Sequence, residues 1–316
     1  MLSSFVMLAI GFAVLLLGAH WLVKGASSLA KRFNVPQIVI GLTIVAFGTS
    51  TPELIVNVIA ALKGSPDISF GNVIGSNNLN VYLVLGICTL LYPMQVKRAT
   101  TYREIPFALL SSVVLLLMVN DQWFGTGAVN LLSRGDGFIL IGLFVLFMIY
   151  AHNLSKQGSD LQTQIREFPL LLTIAYIVSG VLGLLLGGNW VVKYAVRIAQ
   201  NLGLSEKIIG LTIIAFGTSL PELATSIVAA VKKHTDIALG NIVGSNIFNL
   251  LLIMGVTSLI KPPLYSVSFN TDQYLMILST VLLFIFVVLP KRHSLQRWQG
   301  AMFLIVYALY AGFVMK

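Results

Sequence analysis

Charge is what this chain has least of. Asp, Glu, Lys and Arg make up 10% of its 316 residues, against 57% hydrophobic residues and a mean hydropathy of +0.91. A soluble domain carries roughly a quarter charged residues, so a soluble enzyme is excluded and an integral membrane protein remains. Cysteine occurs once, at Cys88, so no intramolecular disulfide can form, and an isolated thiol among apolar neighbours reads as inert packing. With four scattered histidines, nothing resembles a soft-metal site. Acids number eleven against twenty bases, a net charge of +9, but the bases stand in ones to threes between apolar runs. That scatter is a membrane-topology signal and argues against a nucleic-acid partner. No basic stretch precedes the first apolar run at Phe5, and no small-residue cleavage pattern follows it, so this run reads as a retained helix.

What is present is apolar length. A bilayer crossing needs roughly 20 apolar residues, and the sequence offers ten such spans, at about 5–23, 37–62, 69–91, 105–119, 137–152, 168–188, 207–231, 238–260, 273–289 and 298–315. The expected fold is therefore all-α: ten transmembrane helices arranged as two five-helix repeats, residues 1–152 and 168–316. A short cytoplasmic linker, 153–167, joins them, and no room is left for a folded extramembrane domain. Five is odd, so equivalent spans of the two halves cross in opposite directions, an inverted-topology repeat. With both termini outside, the inner connections hold 13 basic residues and the outer ones 7, which favours that orientation.

Within the halves, residues 41–86 and 210–255 are one motif written twice, at a constant offset of 169 and with just over half of the positions identical. The polar identities carry the weight: Thr49/Thr218, Ser50/Ser219, Glu53/Glu222, Asn72/Asn241, Ser76/Ser245, Asn77/Asn246 and Asn80/Asn249. Glu53 and Glu222 are acids within otherwise apolar spans, while the other nine acids fall at connections or span ends. An ionised side chain at bilayer depth costs at least ~2.5–3.5 kcal/mol. Two carboxylates at equivalent positions of inverted halves would meet near the midplane and repel unless a cation neutralised them. Ser50 with Glu53, and Ser219 with Glu222, also fit the helix capping box, a purely local alternative.

Pro52 and Pro221 cannot donate to the carbonyls of Gly48 and Gly217, so both spans should break at the GTS tripeptides. The freed carbonyls, with carboxylate and hydroxyl oxygens, make a donor set for a hard cation, calcium or sodium or both. In the following span Asn72, Ser76 and Asn80 recur every four residues on one helix face, as do Asn241, Ser245 and Asn249. Ser76, Ser245, Asn80 and Asn249 read as ligands. Asn72, Asn241, Asn77 and Asn246 read as interhelical hydrogen-bond glue.

These motifs, GTSTPE with GNVIGSNNLN and GTSLPE with GNIVGSNIFN, resemble the paired alpha repeats of the cation/calcium antiporter superfamily, in its prokaryotic sodium/calcium exchanger branch. By that resemblance Glu53 and Glu222 hold calcium, together with main-chain oxygens of Thr49 and Thr218. Sodium shares the glutamates and uses the carbonyls of Ala46 and Ala215 and the hydroxyls of Ser50, Ser219, Ser76 and Ser245, with Asn80 and Asn249 lining the central site. Potassium-dependent relatives use an acid at the Asn249 position, so the amide argues against potassium co-transport. Thr51, Asn57 and Asn78 depart from the family's usual residues.

The expected function is secondary exchange of calcium against sodium by alternating access, with no enzyme activity and no cofactor beyond the transported ions. The setting is the cell (inner) membrane, with the lipid bilayer as partner and a monomer as the working unit. A proton-coupled cation antiporter is the alternative. A channel or a non-transporting scaffold would show no counter-ion requirement, or would tolerate loss of the glutamates.

Overall fold

The protein is described by a computed structural model that covers residues 2–125, 129–158, 166–202, 215–289 and 293–314. Its elements are almost all helical. The first half runs through α1 (Leu2–Arg32), α2 (Gln37–Ile40), α3 (Ala46–Thr49), α4 (Thr51–Lys63), α5 (Pro66–Asn78), α6 (Gly86–Leu91), α7 (Ile105–Met118) and α8 (Arg134–Ser155). The second runs through α9 (Leu170–Asn201), α10 (Ala215–Gly217), α11 (Leu220–Val231), α12 (Thr235–Ile247), α13 (Met254–Ile260), α14 (Asn270–Val288) and α15 (Arg297–Val314). Wider π-helical turns at Gly41–Val45, Leu79–Leu85, Thr100–Glu104 and Phe248–Ile253 join several of them without a break. Among the described residues one small sheet pairs Met94–Gln95 with Ser294–Leu295, antiparallel.

Among the described residues seven helices are long and apolar enough to cross a membrane, and eight if Gln37–Thr49 and Thr51–Lys63 count as one broken span. The expected span 207–231 is represented by α10 and the apolar α11, and its beginning lies outside the described residues.

The chain forms two compact units, and each draws on both sequence halves. One comprises Met1–Pro52 with Asn153–Asn241, the other Glu53–His152 with Ile242–Lys316.

The first unit is built on α1 against α9. A methyl group added at Gly18 would lie 2.6 Å from the main-chain nitrogen of Leu184, and one at Gly187 would lie 2.5 Å from that of Leu15. Gly11 meets Val191 and Gly180 meets Leu22 in the same way, at 3.0 and 2.5 Å. Glycine is required at these positions because the backbones touch. As numbers rise along α1 their partners fall along α9, so the helices run antiparallel. Each contact also has its mirror 169 residues away, as a two-fold relation demands.

Both helices continue past the expected ends near residues 23 and 188, and polar side chains in the added stretch of α1 find partners at the start of α9. Lys24 Nζ donates to the Tyr176 hydroxyl at 2.9 Å and lies 4.8 Å from the Phe168 ring centre, and the Ser28 and Thr173 hydroxyls share a hydrogen bond of 2.9 Å.

In the second unit, α5 runs through its π turn into α6, and α12, which enters this unit at Ile242, likewise into α13; these are the most buried spans. α15 packs on α6, where a methyl at Gly300 would come 2.7 Å from the carbonyl oxygen of Gly86. α14 packs on α7 and α5.

Candidate ion-binding site

Seven of the twelve expected ligand residues belong to the first unit: Ala46, Thr49, Ser50, Ala215, Thr218, Ser219 and Glu222. The helices break where the prolines require. Ser50 (φ −81°, ψ 6°) interrupts the chain between α3 and α4, and Ser219 (φ −89°, ψ 5°) between α10 and α11, so both copies turn alike. Glu222, one residue past Pro221, is fully buried, and its Oε1 accepts the Ser50 hydroxyl at 3.0 Å. The Ser219 side chain does not cap α11, so in this copy the capping-box alternative is not realised.

Asn241 fastens the site from α12. Its amide donates to the Ser226 hydroxyl at 3.0 Å and toward the Glu222 carbonyl at 3.5 Å, while its Oδ1 accepts from the Thr49 hydroxyl at 2.9 Å. The Ala46 carbonyl accepts the Ser50 N–H at 2.9 Å and the Thr49 hydroxyl at 3.3 Å. Ala215 opens α10, and Thr218 is partly exposed just beyond it.

The other five, Glu53, Ser76, Asn80, Ser245 and Asn249, belong to the second unit, and all are buried. Glu53 Oε1 faces the Ser76 hydroxyl at 3.4 Å. Asn72 repeats the role of Asn241, donating to the Glu53 carbonyl at 3.3 Å and to Asn57 Oδ1 at 2.7 Å. Since Asn57 and Ser226 are also 169 residues apart, the departure at Asn57 keeps the same fastening with a different acceptor.

Asn80 and Asn249 show the reciprocity again. Asn80 Nδ2 donates to Asn246 Oδ1 at 3.0 Å, and Asn249 Nδ2 donates to Asn77 Oδ1 at 3.1 Å. Both donors sit in the π turns, second residue in each. With their N–H₂ groups committed, the Oδ1 atoms of Asn80 and Asn249 are buried without a hydrogen bond. A buried acceptor left so costs ~1–3 kcal/mol, a cost a bound cation would offset. Asn77 and Asn246 thus act as the interhelical glue expected of them, and they also fix how the Asn80 and Asn249 amides are turned. The sequence carried no sign of that second role, nor of the π turns.

Glu104 also differs from expectation. Grouped with acids at span ends, it is 0% exposed, because the π turn Thr100–Glu104 rotates it inward to accept the Tyr150 hydroxyl.

Among the described residues no three His, Cys, Asp or Glu gather as a metal cluster. Each glutamate carboxylate instead meets a serine hydroxyl, Glu53 that of Ser76 and Glu222 that of Ser50, and hydroxyl and carboxylate oxygens are donors suited to a hard cation.

The family described as sodium/calcium exchanger protein matches residues 3–152 and 172–316. The chain is 36% identical to the inner membrane protein YrbG of Escherichia coli (strain K12) over 95% of this chain and 92% of that one. It is 29% identical to the sodium/calcium exchanger MaX1 of Methanosarcina acetivorans over 97% of each. Its fold matches a solved structure of the sodium-calcium exchanger NCX_Mj soaked with 10 mM Na⁺ and zero Ca²⁺, with a TM-score of 0.83 and 31% identity over 98% of both chains. The chain belongs to the sodium/calcium exchanger family. It is a multi-pass membrane protein with the fold of a cation/calcium exchanger.

Proposed function

We propose that this protein exchanges calcium for sodium across the cell membrane by alternating access, using one site to which each sequence half contributes a glutamate. The observation that carries the reading is the pair Glu53 and Glu222: both are fully buried, each is faced by a serine hydroxyl, and they occupy equivalent places in the repeat. Two ionised carboxylates carry charge −2. One calcium or two sodium ions neutralise them, whereas the empty site leaves bare charge in low dielectric and crosses poorly. Exchange then follows from mutual exclusion. In this reading calcium binds Glu53, Glu222 and main-chain oxygens of Thr49 and Thr218. Sodium uses the glutamates with Ala46, Ala215, Ser50, Ser219, Ser76 and Ser245, and Asn80 and Asn249 line the centre.

The proposed architecture is ten spans in two inverted halves, 1–152 and 168–316, joined by a cytoplasmic linker at 153–167, with both termini outside and the monomer as working unit. The antiparallel, mirrored contacts of α1 with α9 support the inversion, as do the reciprocal asparagine pairs. By the resemblance, α1 and α9, the first and sixth spans, slide to alternate access.

The test is radioactive calcium uptake into sodium-loaded proteoliposomes diluted into sodium-free buffer at clamped pH. Wild type takes up calcium, whereas Glu53→Gln and Glu222→Gln insert and fold but lose uptake. Full exchange in either variant would sink the assignment, and uptake driven only by a proton gradient would transfer the coupling to protons.

A further inference from the structure

Three of the four π-helical stretches among the described residues fall inside the repeated motifs, and the fourth, Thr100–Glu104, does not. π turns concentrate at functional places, and this one separates two neighbours. Glu104 is turned inside, where the Tyr150 hydroxyl of α8 donates to it, while Arg103 is left exposed. Beside them is a cavity of about 340 Å³ bounded by Arg103, Phe107, Phe147 and Tyr150. Its walls are apolar: the rings of Phe107 and Phe147 stack at 5.4 Å with an interplanar angle of 22°. Among the described residues Arg103 makes no salt bridge, the one ion pair there joining Arg32 to Glu167.

We propose that this cavity is a binding site for an anionic phospholipid, whose phosphate sits on Arg103 while an acyl chain lies against Phe107 and Phe147. A cation would be repelled by the guanidinium. A tail-less organic anion would leave the aromatic walls unfilled. Basic pockets between membrane helices suit acidic headgroups, and arginine presents a planar fork to phosphate. The site stands apart from the proposed ion chemistry and uses none of its residues.

The experiment is native mass spectrometry of the purified full-length protein titrated separately with phosphatidylglycerol and phosphatidylcholine of equal chain length. We expect wild type to prefer phosphatidylglycerol by about fivefold for its single basic contact, Arg103→Gln to abolish the preference, and Arg103→Lys to keep most of it. Arg134→Gln, which removes a charge at the other end of α8, should leave it intact. An unchanged preference in Arg103→Gln overturns the proposal. So does an equal loss in Arg134→Gln, which would mark diffuse surface charge rather than a built site.

Discussion

An asparagine can offer a cation its oxygen or its N–H₂ group, and only the first binds. At Asn80 and Asn249 the choice is made by the neighbouring half, because Asn246 and Asn77 accept the amide protons and leave the oxygens unpaired. Asn246→Leu should remove that lock, let the Asn80 amide rotate, and raise the calcium concentration for half-maximal uptake about tenfold, the order of one lost hydrogen bond to a charged site. Asn80→Asp has no such ambiguity, since both carboxylate oxygens accept. In that background Asn246→Leu should cost little further affinity, and the four proteins form a double-mutant cycle on calcium dependence. Additive effects would mean that residue 246 does not act through residue 80. The stripe Asn72, Ser76 and Asn80 was legible as four-residue spacing, but the aim of an amide was not, because a hydrogen bond to another span has no local signature. Glu104 was missed for a related reason: a one-residue π insertion rotates the following face, and composition does not record it.

Elements were more legible than their limits. Pro52 and Pro221 announced the helix breaks, since a missing N–H acts locally, and both serines adopt the same turn. The lengths of α1 and α9 were hidden because hydropathy falls at Lys24 and Lys193 while the helix continues. What holds α1 to α9 is the absence of side chains at Gly11, Gly18, Gly180 and Gly187, which lets the backbones touch. Gly18→Ala therefore drives a methyl against the Leu184 main chain, where no rotamer can yield. The expected cost is ~1–3 kcal/mol, read as a lower thermal midpoint in detergent. Gly142→Ala, with nothing within 4 Å of the added methyl, should be neutral or slightly stabilising, as alanine in a helix ordinarily is. A Gly18→Ala protein as stable as wild type would mean that the two backbones are not in contact.

For the whole molecule the decisive number is whether each half crosses the membrane an odd number of times. Five spans per half place the linker 153–167 opposite the N-terminus, and four or six would return it to the same side. Mirrored contacts between antiparallel equivalents, in the glycine seam and again in the asparagine pairs, are what an odd count produces, because an even count would make equivalent helices parallel. The sequence supplies a clean background for the measurement: Cys88 is the only cysteine and it is fully buried, so Cys88→Ser removes the native thiol. In that protein a membrane-impermeant maleimide should label Ser3→Cys on intact cells, and Gln157→Cys only after permeabilisation. Labelling of both from the same side would make the halves parallel repeats.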